Sequence, residues 1–320
     1  MFISIETNPT VPTVTFSFLL TRYRRVRLPA VQTVSQVEVA LRSLAIVVEN
    51  ADSLPLDQLD PERLLDWRDH LLNVRRVSQA TWNNYLRHLK LLVHFGHESG
   101  DLPVSVNPFS GVKRVQEYQC SKKVIPSADL RLLMAYLDQD KADVEFYPVW
   151  FWKVVIRCLY YTGMRRRQLV SLRWADVDFS RGVIRLRADS SKTKREWSIP
   201  IPAPLHESLE VLRAATVQVR GRVPLAEEQV FCVQWFNRAY KGKETSVGQV
   251  SGFFKRLKNN SGIAVSAHRF RHTLGTKVAA TGQIRDLQKQ LGHTDLKTTM
   301  GYVQPDLGRM RDMLDVLGDL

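Results

Sequence analysis

Apolar residues recur at intervals of three and four along most of this chain and alternate strictly in only one place. Val34, Val37, Leu41, Leu44 and Val48 carry that spacing after Thr33, a good N-cap. Asp60 followed by Pro61 opens a second amphipathic helix with Leu64, Leu65, Leu71 and Leu72 on its apolar side. Ser78 caps a longer third helix, in which Trp82, Tyr85, Leu86, Leu89, Leu92 and Val93 form the stripe and Gly100 marks the end. Beyond residue 125 come ADLRLLMAYLD after Ser127, an apolar helix running to TGMRRRQLVSLRW, and then HESLEVLRAA, VSGFFKRL, FRHTLGTKVAA and DLQKQLG. The exception is GVIRLRA and WSIPI, alternating and β-branched around the polar turn DSSKTKRE, which reads as a β-hairpin. A chain so patterned is mainly α with a small antiparallel sheet.

At 320 residues it exceeds what one hydrophobic core usually supports, so two domains are expected. The helical period fails between Leu102 and Ile125, a stretch with two prolines, Gly111 and several basic residues. The division expected is a basic N-terminal arm over residues 1–30, a helical domain over 31–112, a linker over 113–124 and a larger domain over 125–320. Arg22, Arg24, Arg25 and Arg27 in the arm suit either phosphate contacts or a solvated tail.

Lysine and arginine number 46 against 32 acidic residues, a net charge of +14, which favours a polyanionic partner. Cys120, Cys158 and Cys232 are odd in number, far apart and without CxxC spacing, which fits a reducing cytoplasm better than a disulfide framework or zinc ribbon. FSFLL is too short for a signal peptide and precedes its arginines. FYPVWFWKVVIRCLYY is shorter than a bilayer span and carries Lys153 and Arg157, so it reads as a buried helix, with no membrane partner.

Common catalytic signatures are missing: GxxxxGK[ST], GxSxG and HExxH do not occur. His268 and His272 lie four apart but lack the glutamate and a third ligand, and no acidic pair suited to two magnesium ions stands near the basic clusters. No metal or other cofactor is expected. What remains is a set of cationic and histidine side chains in unusual settings. Arg165 follows Gly163-Met164 at the start of a helix, Lys192 sits at the hairpin tip, and His268 and Arg271 share a helical face after the cap Ser266. His293 follows Leu291-Gly292 at a helix end, and Tyr302 stands nine positions later in a polar stretch where neither looks needed for a core. Taken singly, each has an ordinary explanation in solvation or packing.

Together, TGMRRRQLVSLRWADVDF, SKTKREWSIPIP, AHRFRHTLGT and LGHTDLKTTMGYVQP occur in the order that tyrosine recombinases, or phage integrases, show, and the chain resembles that family from Arg165 to Pro305. SQATWNNYLRHLKLLVHFGHESGDLPVSVNPF more loosely resembles the family's helical core-binding, SAM-like domain, so the two domains become a core-binding domain and a tyrosine-recombinase catalytic domain. The resemblance implies that Arg165 and Arg271 clamp the scissile phosphate, that Lys192 is the hairpin lysine acting as acid, and that His268 is the base for the phenol. It further implies that His293 donates a hydrogen bond to the phosphate and that Tyr302 is the nucleophile, giving a 3′-phosphotyrosyl enzyme, strand exchange and a Holliday junction. Asn83, Arg87, Lys90, Lys194, Arg195 and Arg269 are additional candidates for DNA contact, though a solvated face explains each equally.

The chemistry agrees with the resemblance. Paired guanidiniums neutralise charge on nonbridging oxygens, and a phenol, with a usual pKa of about 10, leaves more readily than an aliphatic alkoxide, so the link is reversible without ATP. One departure is Gln168, three residues after Arg165, where the family commonly has an acidic residue. It keeps open a catalytically impaired DNA-binding protein of the same fold; the other alternative is strand relaxation of the type IB topoisomerase kind. Expected partners are double-stranded recombination sites, a homotetramer on synapsed DNA and room for an accessory DNA-bending protein, in a cytoplasmic, nucleoid-associated setting. The tail LGRMRDMLDVLGDL, with Met310, Met313, Leu314 and Leu317 at helical spacing, suits docking either on a neighbouring protomer or on its own domain.

Overall fold

A computed structural model describes residues 13–117, 123–189 and 195–303, with isolated positions 308, 311, 314 and 315 beyond them. The chain divides into two compact units, residues 1–120 and 121–320.

The first unit contains α1 (Phe16–Arg27), α2 (Val31–Leu44), α3 (Pro61–Asp69) and α4 (Gln79–Glu98). Asp60 and Ser78 cap as the sequence suggests, accepting the backbone N–H groups of Glu62 and Thr81. The core centres on Trp67 and Trp82, edge to face at 4.8 Å, with the Trp67 indole donating to Ser43 Oγ at 3.1 Å.

Two sequence expectations are corrected in this unit. The arm assigned to residues 1–30 is, from Phe16 to Arg27, a helix capped by Thr15 that buries Phe16, Leu19 and Leu20 against α4. Its apolar residues crowd into one turn and a half, too short a run to show a period, while its arginines turn outward. Arg22 pairs with Asp101, Arg24 with Glu38 and Arg27 with Glu98. The linker expected over 113–124 begins as part of this unit: Val115 exchanges hydrogen bonds with the Asn83 side chain, its N–H donating at 2.9 Å and its carbonyl accepting at 2.8 Å. Residues 118–122 of that linker lie outside the described residues.

The second unit is built around α7 (Val149–Thr162), the apolar stretch noted above. It packs against α9 (Ala203–Arg220) and α11 (Ala267–Ala279), and Trp152 stacks on Phe253 of α10 (Val247–Ser261) with centroids 4.1 Å apart. Its two charges leave the core sideways, Lys153 to Asp138 and Arg157 Nη1 to Ser208 Oγ. No described helix is long and apolar enough to cross a membrane. α5 (Ser127–Leu137) and α6 (Asp140–Phe146) precede α7, with Ser127 as first helical residue and Pro126 as its cap.

The sheet is three-stranded and antiparallel in the order β1 (Val177–Asp178), β2 (Val183–Leu186), β3 (Trp197–Pro200), with Ile184 opposite Ile199. The hairpin expected from the alternation is β2–β3, whose turn falls partly outside the described residues; β1 is too short to show a pattern. Three further α-helices, α8 (Arg166–Ser171), α12 (Ile284–Leu291) and α13 (Leu296–Met300), belong to this unit.

Candidate active site

The site grows out of three helix ends. α7 stops at Gly163, whose φ of 63° is in the left-handed region that glycine tolerates best, and a Cβ there would lie 2.7 Å from Leu274 and 3.0 Å from Leu291. The chain can therefore turn inside the core and deliver Arg165 as the N-cap of α8. Buried Gln168 fixes that cap by accepting the Arg165 N–H on Oε1 at 2.8 Å. Arg165 Nη1 and Gln168 Nε2 are both buried without a hydrogen-bond partner among the described residues. Donors left so are costly unless an acceptor arrives.

Arg271 lies one turn inside α11, which Ser266 caps by accepting the Arg269 N–H. It is 2% exposed. Its Nη1 donates to the Gly163 carbonyl and its Nη2 to the Leu291 carbonyl, both at 2.8 Å, so the guanidinium pins the ends of α7 and α12 together. Nη2 also meets His293 Nε2 at 2.9 Å. Burial, and then the neighbouring Arg165, push Arg271 down to about 10, against the opposing pull of the Tyr302 hydroxyl, which lies within hydrogen-bond reach. Burial lowers Arg165 as well, again opposed by Tyr302. Neither guanidinium has a carboxylate partner among the described residues. Two like charges held together at this cost are suited to sharing an anion.

α12 ends at Gly292, also left-handed at φ 63°, over which the Trp197 ring lies so closely that a Cβ would come within 2.7 Å of its Cε2. The Trp197 indole donates to the Gln290 carbonyl at 3.3 Å, tying β3 to the segment that carries His293. His293 Nδ1 meets Thr299 Oγ1 at 2.9 Å, and its ring stacks at 9° on that of Tyr302 with centroids 6.0 Å apart. His293 Nε2 faces Arg271, which can only donate.

Tyr302 corrects a second reading, that it has no place in a core. It is 3% exposed and belongs to a small cluster with Ala279, Leu287 and Leu291. The ring packs while the hydroxyl end meets the arginines, a division of labour available to tyrosine. Its seat is Gly275 in α11, where a Cβ would lie 2.6 Å from Cε1 and 2.8 Å from Cγ of the ring. His272 approaches the ring at 5.7 Å and His268 in turn packs on His272 at 4.3 Å, His268 itself being exposed at the α11 N-terminus.

The structure thus brings together Arg165, Arg271, His293 and Tyr302, with His268 at the edge behind His272. Lys192 and Lys194 lie outside the described residues. Arg195 is exposed near the hairpin turn, and Arg269 is half-buried on α11. Of the first unit's candidates, Arg87 is exposed and donates to Asn84, whereas Lys90 spends its amine on the Val112 carbonyl at 2.7 Å and burial lowers its pKa. Asn83 does not present itself to a groove: it is 3% exposed, and besides Val115 its amide donates to Glu117 at 2.7 Å. Gly275, Trp197 and Thr299 escaped the sequence reading, which met Gly292 only as a helix end. Gly275 alone left a signal there, since a mid-helix glycine costs about 1 kcal/mol against alanine and usually has a packing reason. Among the described residues no group of three or more His, Cys, Asp or Glu side chains is placed to hold a metal ion.

With this geometry in view, the comparisons define the class. The phage integrase family profile matches residues 123–308, and the chain belongs to that family, the tyrosine recombinases. A protein of Pseudomonas syringae named as a tyrosine recombinase XerC is 33% identical over 266 residues, covering 80% of this chain and 54% of its own length. The chain spans about half to three-fifths of the length of the curated relatives it matches first. The fold is that of the Tn1549 transposon integrase solved with transposon right end DNA (TM-score 0.70, 20% identity, covering 96% of this chain and 100% of that one). It is likewise that of a lambda integrase tetramer bound to a Holliday junction (TM-score 0.67, 15% identity, covering 92% of this chain and 78% of that one).

Proposed function

We propose that this protein is a site-specific DNA recombinase that breaks and rejoins strands through a 3′-phosphotyrosyl link at Tyr302. The observation that carries this reading is the convergence of two guanidiniums, neither paired with a carboxylate among the described residues, on one buried tyrosine hydroxyl. A phosphodiester gathers negative charge on its nonbridging oxygens as the phenol attacks, and fixed cations in a dry site stabilise that charge without reorganising. Arg271 has three of its five hydrogens committed to Gly163, Leu291 and His293, so its remaining donors and those of Arg165 serve the phosphate.

Tyr302 attacks the phosphorus, the 5′-oxygen departs, and a 5′-hydroxyl from a second duplex reverses the step. His268 is the base for the phenol proton and Lys192 the acid for the departing oxygen, in keeping with the family. Gln168, where an acidic residue is common, still fixes the Arg165 backbone through Oε1. Its neutrality leaves the arginine pair uncompensated and in need of an anion. The protein acts as a homotetramer on synapsed double-stranded DNA, as the lambda integrase tetramer does on a Holliday junction, and works at the nucleoid. Basic side chains such as Arg87, Arg195 and Arg269 supply salt-sensitive phosphate contacts.

The test begins by enriching a binding site from random duplexes with Tyr302→Phe. Wild-type protein mixed with two labelled duplexes bearing that site, in chelator and without ATP, is expected to give recombinant strands. Relaxation of a supercoiled plasmid without exchange would move the function to strand relaxation, and binding without either product would leave a DNA-binding protein.

A further inference from the structure

The closing turn of α12 leaves carbonyls that no N–H within the helix reaches. Backbone satisfies the first of them, the Gly292 N–H donating to Lys289 and the His293 N–H to Gln288, each at 3.0 Å. The last two are met by side chains from other elements. Arg271 of α11 donates to the Leu291 carbonyl at 2.8 Å, and the Trp197 indole of β3 donates to the Gln290 carbonyl at 3.3 Å. Trp197 opens β3 opposite Leu186, and its ring covers Gly292, where a Cβ would stand 2.5 Å from Cη2 and 2.7 Å from Cε2. Glycine is thus required at 292 twice, for its φ of 63° and for the ring against it. His293 follows directly, and Arg271 is anchored on the same turn.

We propose that Trp197 is a positioning residue: by donating to Gln290 and covering Gly292, it fixes the turn on which Arg271 is anchored and which His293 follows. Without the indole, Arg271 would keep its bond to the Gly163 carbonyl, but the Leu291 carbonyl and His293 could shift together against it. The strand that leaves the hairpin turn and the end of α12 are therefore joined through one side chain. This role rests on the recombinase reading above, but the contact between Trp197 and the Gly292 turn does not.

The experiment compares wild type with Trp197→Leu, Gly292→Ala and the double variant, reading single-turnover cleavage of a nicked duplex at saturating DNA beside DNA affinity and urea unfolding. Trp197→Leu is expected to cleave about 10- to 100-fold more slowly, since a displacement near 1 Å costs about 100-fold, with affinity held within about twofold. Gly292→Ala should slow the wild type at least as much, yet cost Trp197→Leu about tenfold less, because the ring it collides with is gone. Urea unfolding should show the same non-additivity. A duplex with sulfur in place of the scissile 5′-oxygen identifies the route: a thiolate leaves without an acid, so a loss confined to Lys192 would vanish on it, whereas a loss through the α12 end persists. Should Trp197→Leu fail to fold, Trp197→Phe, which lacks the Cζ2–Cη2 edge, carries the same comparison. Wild-type cleavage by Trp197→Leu, additive losses in the double variant, a matching fall in DNA affinity or full rescue by sulfur each overturn the proposal. Absence of cleavage by wild type itself would instead count against the recombinase reading, while the urea comparison still decides whether the ring holds the Gly292 turn.

Discussion

Gly275→Ala separates local helix stability from the geometry of the nucleophile. Gly275 lies inside α11 with a helical backbone, so alanine there should by itself stabilise the helix by about 1 kcal/mol. The added Cβ, however, would lie 2.6 Å from Tyr302 Cε1 and 2.8 Å from Cγ, about 1 Å closer than carbon atoms at optimal separation. Backbone on one side and an aromatic ring on the other leave only the ring to move. Tyr302 must leave its seat, giving up side-chain burial worth about 1.5–3 kcal/mol. The net expectation is a loss of about 0.5–2 kcal/mol in denaturant unfolding, despite the better helix former. A displacement near 1 Å costs about 100-fold in a positioned reaction, so covalent adduct formation on a nicked duplex should fall by at least that factor while gel-shift affinity stays within about twofold. Adduct formation at the wild-type rate in Gly275→Ala would refute the seating argument, because the ring could not then depend on that gap.

Other consequences can be measured separately. Arg271, lowered to about 10 from the usual arginine value by burial, binds its proton less tightly when folded than when unfolded. Its cost is therefore fully present below pH ~10 and is relieved as pH climbs above about 10 toward the usual arginine range. Relative to Arg271→Gln, wild type should gain about 1 kcal/mol of stability between about pH 9 and pH 11; a constant difference would show the shift to be absent. In the first unit, Asn83→Ala removes the bonds that this buried side chain makes to Val115 and Glu117 and should cost about 1–3 kcal/mol. Arg87→Ala, at an exposed position, should leave stability unchanged and, if Arg87 meets a phosphate, reduce the salt slope of DNA binding by about one. Melting of Asn83→Ala at the wild-type midpoint would return Asn83 to the surface role read from sequence.

What the sequence made legible were features that depend on one element at a time. Ser78 and Asp60 cap where local chemistry says they should, the α7 stretch is largely buried because it is predominantly apolar, and alternation located β2 and β3. Arg165, Arg271, His293 and Tyr302 were found through their motif order, and the fold brings them together. What could not be read depended on the neighbour across a gap. Asn83 is polar at a helical position whether it faces water or, as here, satisfies the backbone of residue 115. Tyr302 looked stranded in a polar segment because its apolar neighbours, Ala279, Leu287 and Leu291, come from other helices. Thr299 meets His293 and Trp197 meets Gln290 and Gly292 through contacts that follow no helical or strand period. Helix α1 was missed for a plainer reason, since its buried residues occupy too few turns to declare a period.

The central claim is that the Tyr302 phenol becomes bonded to DNA. Trapping the protein on a nicked duplex in chelator, digesting it and sequencing the DNA-linked peptide by mass spectrometry tests this directly. The expected result is one phosphotyrosyl peptide, modified at Tyr302 and joined to a 3′ end, with no adduct from Tyr302→Phe. An adduct mapping to another residue, or persisting in Tyr302→Phe, would contradict it.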